Sequence, residues 1–501
     1  MKIKEIIQTQ NIKQDLAKIL MVVGIWLRGR GLDSPLWYDE AFSINVSRLP
    51  LPYMVRATWL DFTPVLHYLI IKPFAWLENV PWLARIPSLL FSILALAVVW
   101  EMLDDWEVTD NQRLWISALT LLPGFYWMAQ DARVYALLGL LYLLSFWLMQ
   151  SGQYRWAVVT MTLMIWSHPT GLIFTVSIVV VCLARDWLIQ GLLNVREIYK
   201  SSARLSILTG LVALLAGIPA LLPILTGPVA DHYLMIPVSV GQVLTSIYTA
   251  VFVGTMPPAG LLVIVFYLVM ALAVLVVVVS DWLMIIRTTD CHNPDYKMGL
   301  IIEDDIVVTN GLLVIIPTTL LLLISLISEP IFFYRPLMPL LYPLIIWIGS
   351  ATALKEYRPY KLIAPALLAA MIILANINWS PGIKGSDLDK YTGLISQEPE
   401  SSILYATGTA ALPFDLYLTN PSWIAESENH NSLGSRELME LFGWEYQDPG
   451  SWADWIIWPR DPLLDPDLFQ QLEVLTAENY ELVGVVEYWH IEDVEIWRAE
   501  Q

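Results

Sequence analysis

Apolar stretches of about 20 residues recur along the chain, and they restrict the folds that are open to it. A helix of about 20 apolar residues is long enough to span the hydrocarbon core of a bilayer. Apolar residues make up 56% of the 501 residues, more than in ordinary soluble proteins. We therefore predict a polytopic α-helical membrane protein.

The apolar stretches predict about eleven transmembrane helices, at 16–32, 84–103, 113–129, 134–150, 156–168, 170–187, 205–226, 260–287, 306–327, 336–354 and 361–378. The first is weak, because its apolar core is short and is flanked by basic residues. We expect Lys18, Arg28 and Arg30 to extend toward the membrane interfaces.

The distribution of basic residues predicts the orientation of these helices. Eleven lysines and arginines fall at the N-terminus or in loops on the same side, whereas the opposite loop 227–259 contains none. The first outer loop is an exception, because Arg48, Arg56 and Lys72 lie in it and Arg85 follows it directly. We predict a cytoplasmic (inner) membrane protein with a cytoplasmic N-terminus and an external C-terminal segment.

The C-terminal segment differs in composition from the rest of the chain. Residues 379–501 contain 23 acidic and five basic side chains, a net charge of −18 out of −19 for the whole chain. The strand-like stretches "SSILYATG" and "YELVGVVEYWHIEDVEIWR" and the amphipathic "PDLFQQLEVLTAE" predict a small α/β or α+β domain. We divide the chain into a transmembrane part, 1–378, and an acidic extracytoplasmic domain, 379–501. No basic surface is evident, which excludes nucleic acid as a partner.

The outer loop 33–83 contains more than a connection needs. "DEAFSINVSRL" has apolar residues at helical spacing. "PVLHYLIIKPFAWL" is typical of a short apolar helix that starts at Pro64, with Thr63 as its N-cap. Neither stretch is long enough to span a bilayer, and both suit helices that lie in the interface. We expect them to cover a cavity at the outer membrane face.

Three carboxylates of this loop are candidates for chemistry. Asp39 and Glu40 are adjacent, so on a helix they point about 100° apart and cannot share one task. Asp39 can act as a general base toward a hydroxyl or amine while Glu40 caps or pairs. Alternatively, Asp39 only N-caps the helix. Asp61 either faces the same cavity or is a solvated loop carboxylate.

The stretch "MAQDARVYALL" joins two predicted spans with almost no loop. This places Asp131 and Arg133 at the outer membrane surface, with Tyr135 beside them. An arginine there fits a lipid phosphate. The alternative is a turn capped by Asp131, with the arginine extending to the interface.

A second arginine of this kind occurs in "SEPIFFYRPLMPLLYP", where Tyr334 and Arg335 stand at the outer start of a late span. Arg335 again fits a phosphate, or it forms an ion pair with Glu329.

Two histidines complete the set of candidates. His67 lies on the predicted interfacial helix, and His168 in "WSHPTGL" lies at an outer helix end. Either one is a packing or capping residue, or it contacts an acceptor or a metal ion. The spacing specifies no metal site, so a divalent metal stays open as a cofactor.

Several stretches together resemble family 39 of the GT-C superfamily of membrane glycosyltransferases. The stretches that carry the resemblance are "WLRGRGLDSPLWYDEAFS", "DFTPVLHYLIIKPF", "RIPSLLFSILAL", "LLPGFYWMAQDARVYALLGLLYLLS" and "FFYRPLMPLLYPL". The resemblance covers roughly residues 20–190, is looser around 330–345 and is weak in the C-terminal domain. This chain departs from the family in two places: it has Asp-Phe-Thr-Pro where the family has an acid before Pro-Pro, and Tyr-Arg order in the late motif.

The family includes protein O-mannosyltransferases and lipid A aminoarabinose transferases. The resemblance implies a GT-C fold and transfer of a sugar from a polyprenyl-phosphate donor to a lipid, glycan or protein acceptor, with inversion. It implies that Asp39 is the catalytic base, with Glu40 and Asp61 also in the catalytic site. It implies that the donor phosphate is bound by Arg133, Tyr135, Tyr334 and Arg335.

Two other classes of function stay open. A polytopic lipid or polysaccharide transporter should carry ionisable residues buried in mid-span and repeated helical halves. A non-catalytic scaffold would use the acidic domain to bind partners. The charged residues gather at outer helix ends and in one loop, which favours an enzyme.

Overall fold

The computed structural model describes the backbone of residues 2–61, 63–77, 81–190, 202–226, 238–252, 294–327, 331–352, 360–378, 388–405, 413–414, 416–418, 420, 422–425, 444–447, 453–459, 466–486 and 494–499. This part of the chain is mostly helical, as the apolar stretches predict.

The helices are α1 (Lys2–Gly29), α2 (Tyr38–Arg48), α3 (Leu51–Leu60), α4 (Leu66–Ala75), α5 (Ile86–Asp105), α6 (Asp110–Leu119), α7 (Pro123–Ala129), α8 (Tyr135–Gln150), α9 (Tyr154–Ser167), α10 (Gly171–Gln190), α11 (Ser202–Thr226), α12 (Val240–Phe252), α13 (Pro294–Ile327), α14 (Tyr334–Leu337), α15 (Leu341–Thr352), α16 (Tyr360–Asn378), α17 (Leu388–Ile395) and α18 (Pro466–Asn479). Short 3₁₀ turns, Pro81–Arg85 and Met338–Leu340, precede α5 and α15.

Three helices of the described part are long and apolar enough to cross a membrane: Trp82–Asp105, Ala203–Leu222 and Ile306–Ile327. Shorter apolar helices accompany them, at Tyr135–Gln150, Gly171–Arg185, Val240–Phe252 and Ala366–Ile377. Large apolar side chains of α1 and α11 are exposed, as a lipid-facing surface requires: Ile19, Val22, Trp26, Leu208, Leu211 and Leu215. The predicted span 260–287 lies outside the described residues, and the number eleven stays a prediction.

Two predictions about the helices are wrong. The span predicted at 113–129 is broken, because Pro123 cannot continue α6 and instead begins α7. Arg28 does not extend to an interface, because its side chain is fully buried. Its guanidinium donates to the carbonyls of Gly24 at 2.8 Å and Thr120 at 3.4 Å. The end of α6 at the break exposes the Thr120 carbonyl, so the break itself supplies an acceptor for Arg28.

The C-terminal segment contains a mixed β-sheet. Among the described residues its strands are β1 (Ile403–Tyr405), β2 (Ser422–Ala425), β3 (Tyr446–Gln447), β4 (Trp455–Pro459), β5 (Tyr480–Val486) and β6 (Val494–Ala499), in the order β3-β2-β1-β4-β6-β5. The first four strands are parallel, and β6 runs antiparallel to β4 and β5. The predicted strand near 403, the terminal hairpin and the helix before it are confirmed. The domain boundary at 378/379 stays a prediction.

Alternate residues of the central strands face opposite sides of the sheet. On one face, Tyr405 and Trp455 belong to the hydrophobic core that extends from the helices. On the other face, Trp458 packs with Leu472 of α18. The sheet therefore shares its core with the helical part on one side and is covered by its own helix on the other.

Candidate functional site

The first residues of α2 are arranged by Trp37 and Glu40. Trp37 is the N-cap residue, in extended conformation with φ −100° and ψ 173°. Glu40 accepts the Trp37 N–H through Oε2 at 3.4 Å, the return bond of a capping box. Asp39 lies within the first turn and does not cap the helix, so that alternative is wrong.

Asp39 forms an ion pair with Arg335 through Oδ2 and Nη1. The Arg335 guanidinium lies over the Trp37 ring at 4.6 Å, and its Nε donates to the Tyr334 hydroxyl at 3.0 Å. The late motif therefore reaches the first outer loop across about 300 residues of sequence. The Arg335 side chain pairs with Asp39 in this structure, and Glu329 lies outside the described residues.

Arg133 approaches Asp39 from the turn between α7 and α8. Its Nη1 donates to the Asp39 carbonyl oxygen at 3.3 Å and to Ser43 Oγ at 3.0 Å. Its Nε is buried and has no hydrogen-bond partner among the described residues. Two guanidinium groups thus flank Asp39, and one of them keeps an uncommitted donor.

A fully buried ion pair between Glu40 and Arg85 supports this arrangement. Both of its hydrogen bonds, from Nε to Oε1 and from Nη2 to Oε2, measure 2.6 Å. Arg85 also donates to the carbonyls of Leu32, Ser34 and Pro35. Because Glu40 is the partner, its prediction as a capping or pairing residue is confirmed.

The same carboxylate reaches the turn that carries Arg133. Glu40 Oε1 accepts the N–H of Ala132 at 2.8 Å. Beside it, Asp131 is 1% exposed and accepts the Trp37 indole N–H at 3.1 Å. Asp131 is thus buried within the protein, and its position at the outer membrane surface stays a prediction. The hydrogen bond from Trp37 holds the Asp131 carboxylate in this buried position.

Asp61 is the C-cap residue that directly follows α3. Its Oδ2 accepts the Thr63 hydroxyl at 2.9 Å and the Tyr68 hydroxyl at 3.4 Å. Thr63 is therefore not the N-cap of the next helix, which begins two residues later than predicted, after Val65. Burial raises the pKa of Asp61 to about 6, against the lowering influence of the Arg133 guanidinium. Asp61 thus shares the electrostatic environment of Asp39 and Arg133, and it is not a simple solvated carboxylate.

We expect Asp61→Asn to stabilise the protein in a pH-dependent way. Because the folded-state pKa lies above the ordinary value of 3.8, this carboxyl loses folding stability as the pH rises from about 4 to about 6. Asparagine removes that penalty. The variant should melt above the wild type at pH 8 and at the same temperature at pH 4, measured by thermal unfolding in detergent. A gain that is larger at pH 4 would contradict the assignment.

His67, His168 and Tyr135 lie around Arg133. His67 Nε2 contacts the Ala132 carbonyl at 3.1 Å, and burial lowers the pKa of His67 to about 4. His168 follows α9, and its ring lies 5.9 Å from the ring of Tyr135 at the start of α8. The charges of Arg133 and Arg335 both act on the Tyr135 hydroxyl. The structure therefore brings every candidate into one region, while their roles stay predictions.

Sequence reasoning missed three residues of this region. Arg85 was noted as an outer basic residue and as the first residue of "RIPSLLFSILAL", but it was not selected for the site, although it is the partner that a buried Glu40 requires. Trp37 supplies the surface under Arg335, and Ser43 binds Arg133. The signal for Ser43 was its position one helical turn after Asp39, on the same face of α2.

The first outer loop also contacts the C-terminal segment. The Leu36 N–H donates to the Tyr417 hydroxyl at 3.1 Å. Within the described residues, no group of three His, Cys, Asp or Glu side chains is arranged to hold a metal ion. The chemistry of the described side chains is that of a carboxylate beside two cations, which suits an anionic group next to a proton acceptor.

No protein-family model matches the sequence, and no curated protein sequence matches it. Solved structures do match over nearly the whole length. ArnT from Cupriavidus metallidurans in the apo state is 13% identical, with a TM-score of 0.58, and the match covers 96% of this chain and 97% of that one. The same protein bound to undecaprenyl phosphate is 14% identical, with a TM-score of 0.55 and the same coverage. The chain therefore has the ArnT-like GT-C fold that its sequence motifs predict.

Proposed function

We propose that the protein is a membrane glycosyltransferase that moves a sugar from a polyprenyl-phosphate donor to an acceptor outside the cytoplasm. The observation that carries the proposal is the position of Asp39 between two arginines. Its carboxylate pairs with Arg335, and its backbone carbonyl accepts a hydrogen bond from Arg133. The likeness to ArnT, one structure of which has undecaprenyl phosphate bound, supports a polyprenyl-phosphate donor. The acceptor is a lipid, glycan or protein.

The donor phosphate is assigned to the two arginines. Arg133 has a buried Nε that is uncommitted among the described residues, and the Arg335 guanidinium lies over the Trp37 ring. A guanidinium group can bind a phosphate through two parallel N–H···O hydrogen bonds, and it keeps its positive charge. Tyr135 and Tyr334 line the same region and supply hydroxyl groups. The lipid tail of the donor stays in the bilayer, beside the apolar helix surfaces.

Transfer then follows a direct displacement. Asp39 takes the proton of the acceptor hydroxyl or amine, and the acceptor atom forms a bond to the anomeric carbon of the sugar. The bond from that carbon to the phosphate oxygen breaks, and its electron pair leaves with the polyprenyl phosphate. Arg133 and Arg335 stabilise the negative charge that develops there. Attack from the face opposite the phosphate inverts the anomeric configuration.

The Asp39–Arg335 pair suggests an order for these steps. A carboxylate that is paired with a guanidinium is a weaker base than a free one. A donor phosphate competes for Arg335 and so releases Asp39 for the acceptor. Donor therefore binds before acceptor.

We expect Arg335→Lys to weaken donor binding while the protein stays folded. Lysine keeps the charge but loses the bidentate geometry and the contact with Trp37. The KM for the donor should rise between about tenfold and a hundredfold. Arg30→Lys is the matched control, because Arg30 is exposed and lies outside this cluster. An unchanged KM in Arg335→Lys would remove this residue from the donor site.

The proposed site lies on the outer side of the cytoplasmic membrane, with the N-terminus in the cytoplasm. Basic residues at predicted cytoplasmic loops support this orientation. The acidic segment 379–501 then lies outside. There its Tyr417 hydroxyl accepts a hydrogen bond from the N–H of Leu36, in the loop that carries Asp39.

Incubation of the purified protein with membrane extract and a panel of radiolabelled polyprenyl-phosphate sugars tests the proposal. Incorporation of label into an acceptor in detergent solution, where no compartments exist, identifies a transferase. If every donor is bound but none is consumed, the protein is a transporter or a scaffold. The buried Arg28 does not by itself favour transport, because its Nε donates to Ser92 and its Nη1 to the carbonyls of Gly24 and Thr120, contacts that hold helices together.

A further inference from the structure

His67 has one ring nitrogen with an assigned partner and one without. Its Nε2 lies 3.1 Å from the Ala132 carbonyl oxygen, which only accepts, so Nε2 carries the hydrogen. The other nitrogen, Nδ1, then carries a lone pair. The side chain is 4% exposed, and Nδ1 has no hydrogen-bond partner among the described residues. A buried acceptor of this kind destabilises the folded protein unless a ligand or another polar group donates a hydrogen bond to it.

His168 presents the opposite chemistry. The backbone N–H of Thr170 donates to His168 Nδ1 at 3.2 Å, so in the neutral ring the hydrogen is on Nε2. Packing against Tyr135 at 5.9 Å fixes the plane of the ring. His168 thus offers a donor where His67 offers an acceptor.

The two rings lie in the same part of the molecule. His67 is on α4, which packs against α9, and His168 directly follows α9. His67 contacts the carbonyl of Ala132, the residue before Arg133, and the His168 ring packs against Tyr135, two residues after Arg133. They therefore border the region that the proposed function assigns to the donor.

We propose that His67 and His168 form a subsite for a neutral hydroxyl group of the substrate, a proposal that rests on the proposed function. A hydroxyl both donates and accepts, so it satisfies the lone pair of His67 Nδ1 and the hydrogen of His168 Nε2 at once. A carboxylate group of the substrate does not fit, because it has no hydrogen to donate to His67 Nδ1. An ammonium group does not fit either, because the positive charge of Arg133 repels it. The hydroxyl belongs either to the sugar of the donor or to the acceptor.

Matched substitutions separate the two nitrogens of each ring. His67→Gln can keep a donor to the Ala132 carbonyl while it loses the Nδ1 acceptor, and His67→Asn does the reverse. His168→Asn keeps an acceptor for the Thr170 N–H while it loses the Nε2 donor. Thermal unfolding of each variant in detergent first establishes that it is folded.

The assay uses the polyprenyl-phosphate hexose that the wild type consumes fastest, together with its monodeoxy analogues. We expect His67→Gln and His168→Asn each to lower kcat/KM about tenfold on the full hexose. On the analogue that lacks the bound hydroxyl, both variants should equal the wild type. If instead the loss persists on every sugar analogue but appears only in the KM for the acceptor, the hydroxyl is the acceptor's.

Three results would overturn the subsite while the proposed function stands. Wild-type kcat/KM in both variants would mean that only water meets Nδ1. An equal loss with every donor and every acceptor would mean a structural role. Activity that is lost with a chelator, is restored by Zn²⁺ and is insensitive to both in His67→Gln would make the ring a metal ligand. If the wild type neither binds nor consumes any donor, the proposed function fails, and the subsite fails with it.

Discussion

Asp39→Asn should lower the rate of sugar transfer about a thousandfold, because the variant lacks the carboxylate that takes the acceptor's proton. Asparagine has nearly the same size as aspartate, so the packing of α2 should be preserved. The measurement is kcat at saturating donor, with thermal unfolding as the check on folding. Asp33→Asn is the matched control, because Asp33 is an exposed acid of the same loop, and it should keep wild-type activity.

The same variant should still bind undecaprenyl phosphate. Arg133 and Arg335 remain in place, and Arg335 no longer has to leave an ion pair. We therefore expect an affinity equal to or higher than that of the wild type. Weaker binding in Asp39→Asn, or activity within tenfold of the wild type, would contradict the role of Asp39 as the base.

Breaking the Glu40–Arg85 pair should have the largest effect on stability. Arg85→Met leaves the Glu40 carboxylate buried without its cation, and loss of one partner of a buried pair typically costs about 3–5 kcal/mol. It also removes donors to the carbonyls of Leu32, Ser34 and Pro35. The free energy of unfolding should fall by that amount, measured by denaturation in detergent.

Two further variants define the origin of this loss. Arg85→Met combined with Glu40→Leu should recover part of the stability, because no buried charge is then left unpaired. Arg498→Met breaks a pair with Glu398 in which both side chains are about one third exposed, and it should cost less than about 1 kcal/mol. Equal losses in Arg85→Met and Arg498→Met would show that burial of the first pair is unimportant.

The helices and the composition of the candidate site were predictable from local sequence. Apolar periodicity predicts the helices, and the strand and helix patterns of the C-terminal segment agree with β5, β6 and α18. The motifs selected Asp39, Arg133 and Arg335 as candidates, and the structure brings these three side chains together.

The pairing of these side chains was not predictable, because it depends on how distant helices pack. Glu40 required a cation, but nothing local indicated Arg85, 45 residues away. Arg28 was expected at an interface, because the break after α6 that provides its acceptor was not recognised at Pro123. Thr63 precedes a proline and so resembled an N-cap, yet its hydroxyl binds Asp61.

The most direct measurement is the joint quantification of undecaprenyl phosphate released and sugar attached to acceptor, by purified wild-type protein in detergent with one undecaprenyl-phosphate sugar that it binds. A membrane glycosyltransferase should release one undecaprenyl phosphate for each sugar transferred, and Asp39→Asn should release almost none. Recovery of the donor intact, with the same protein moving it between the leaflets of liposomes, would contradict transfer and indicate a transporter.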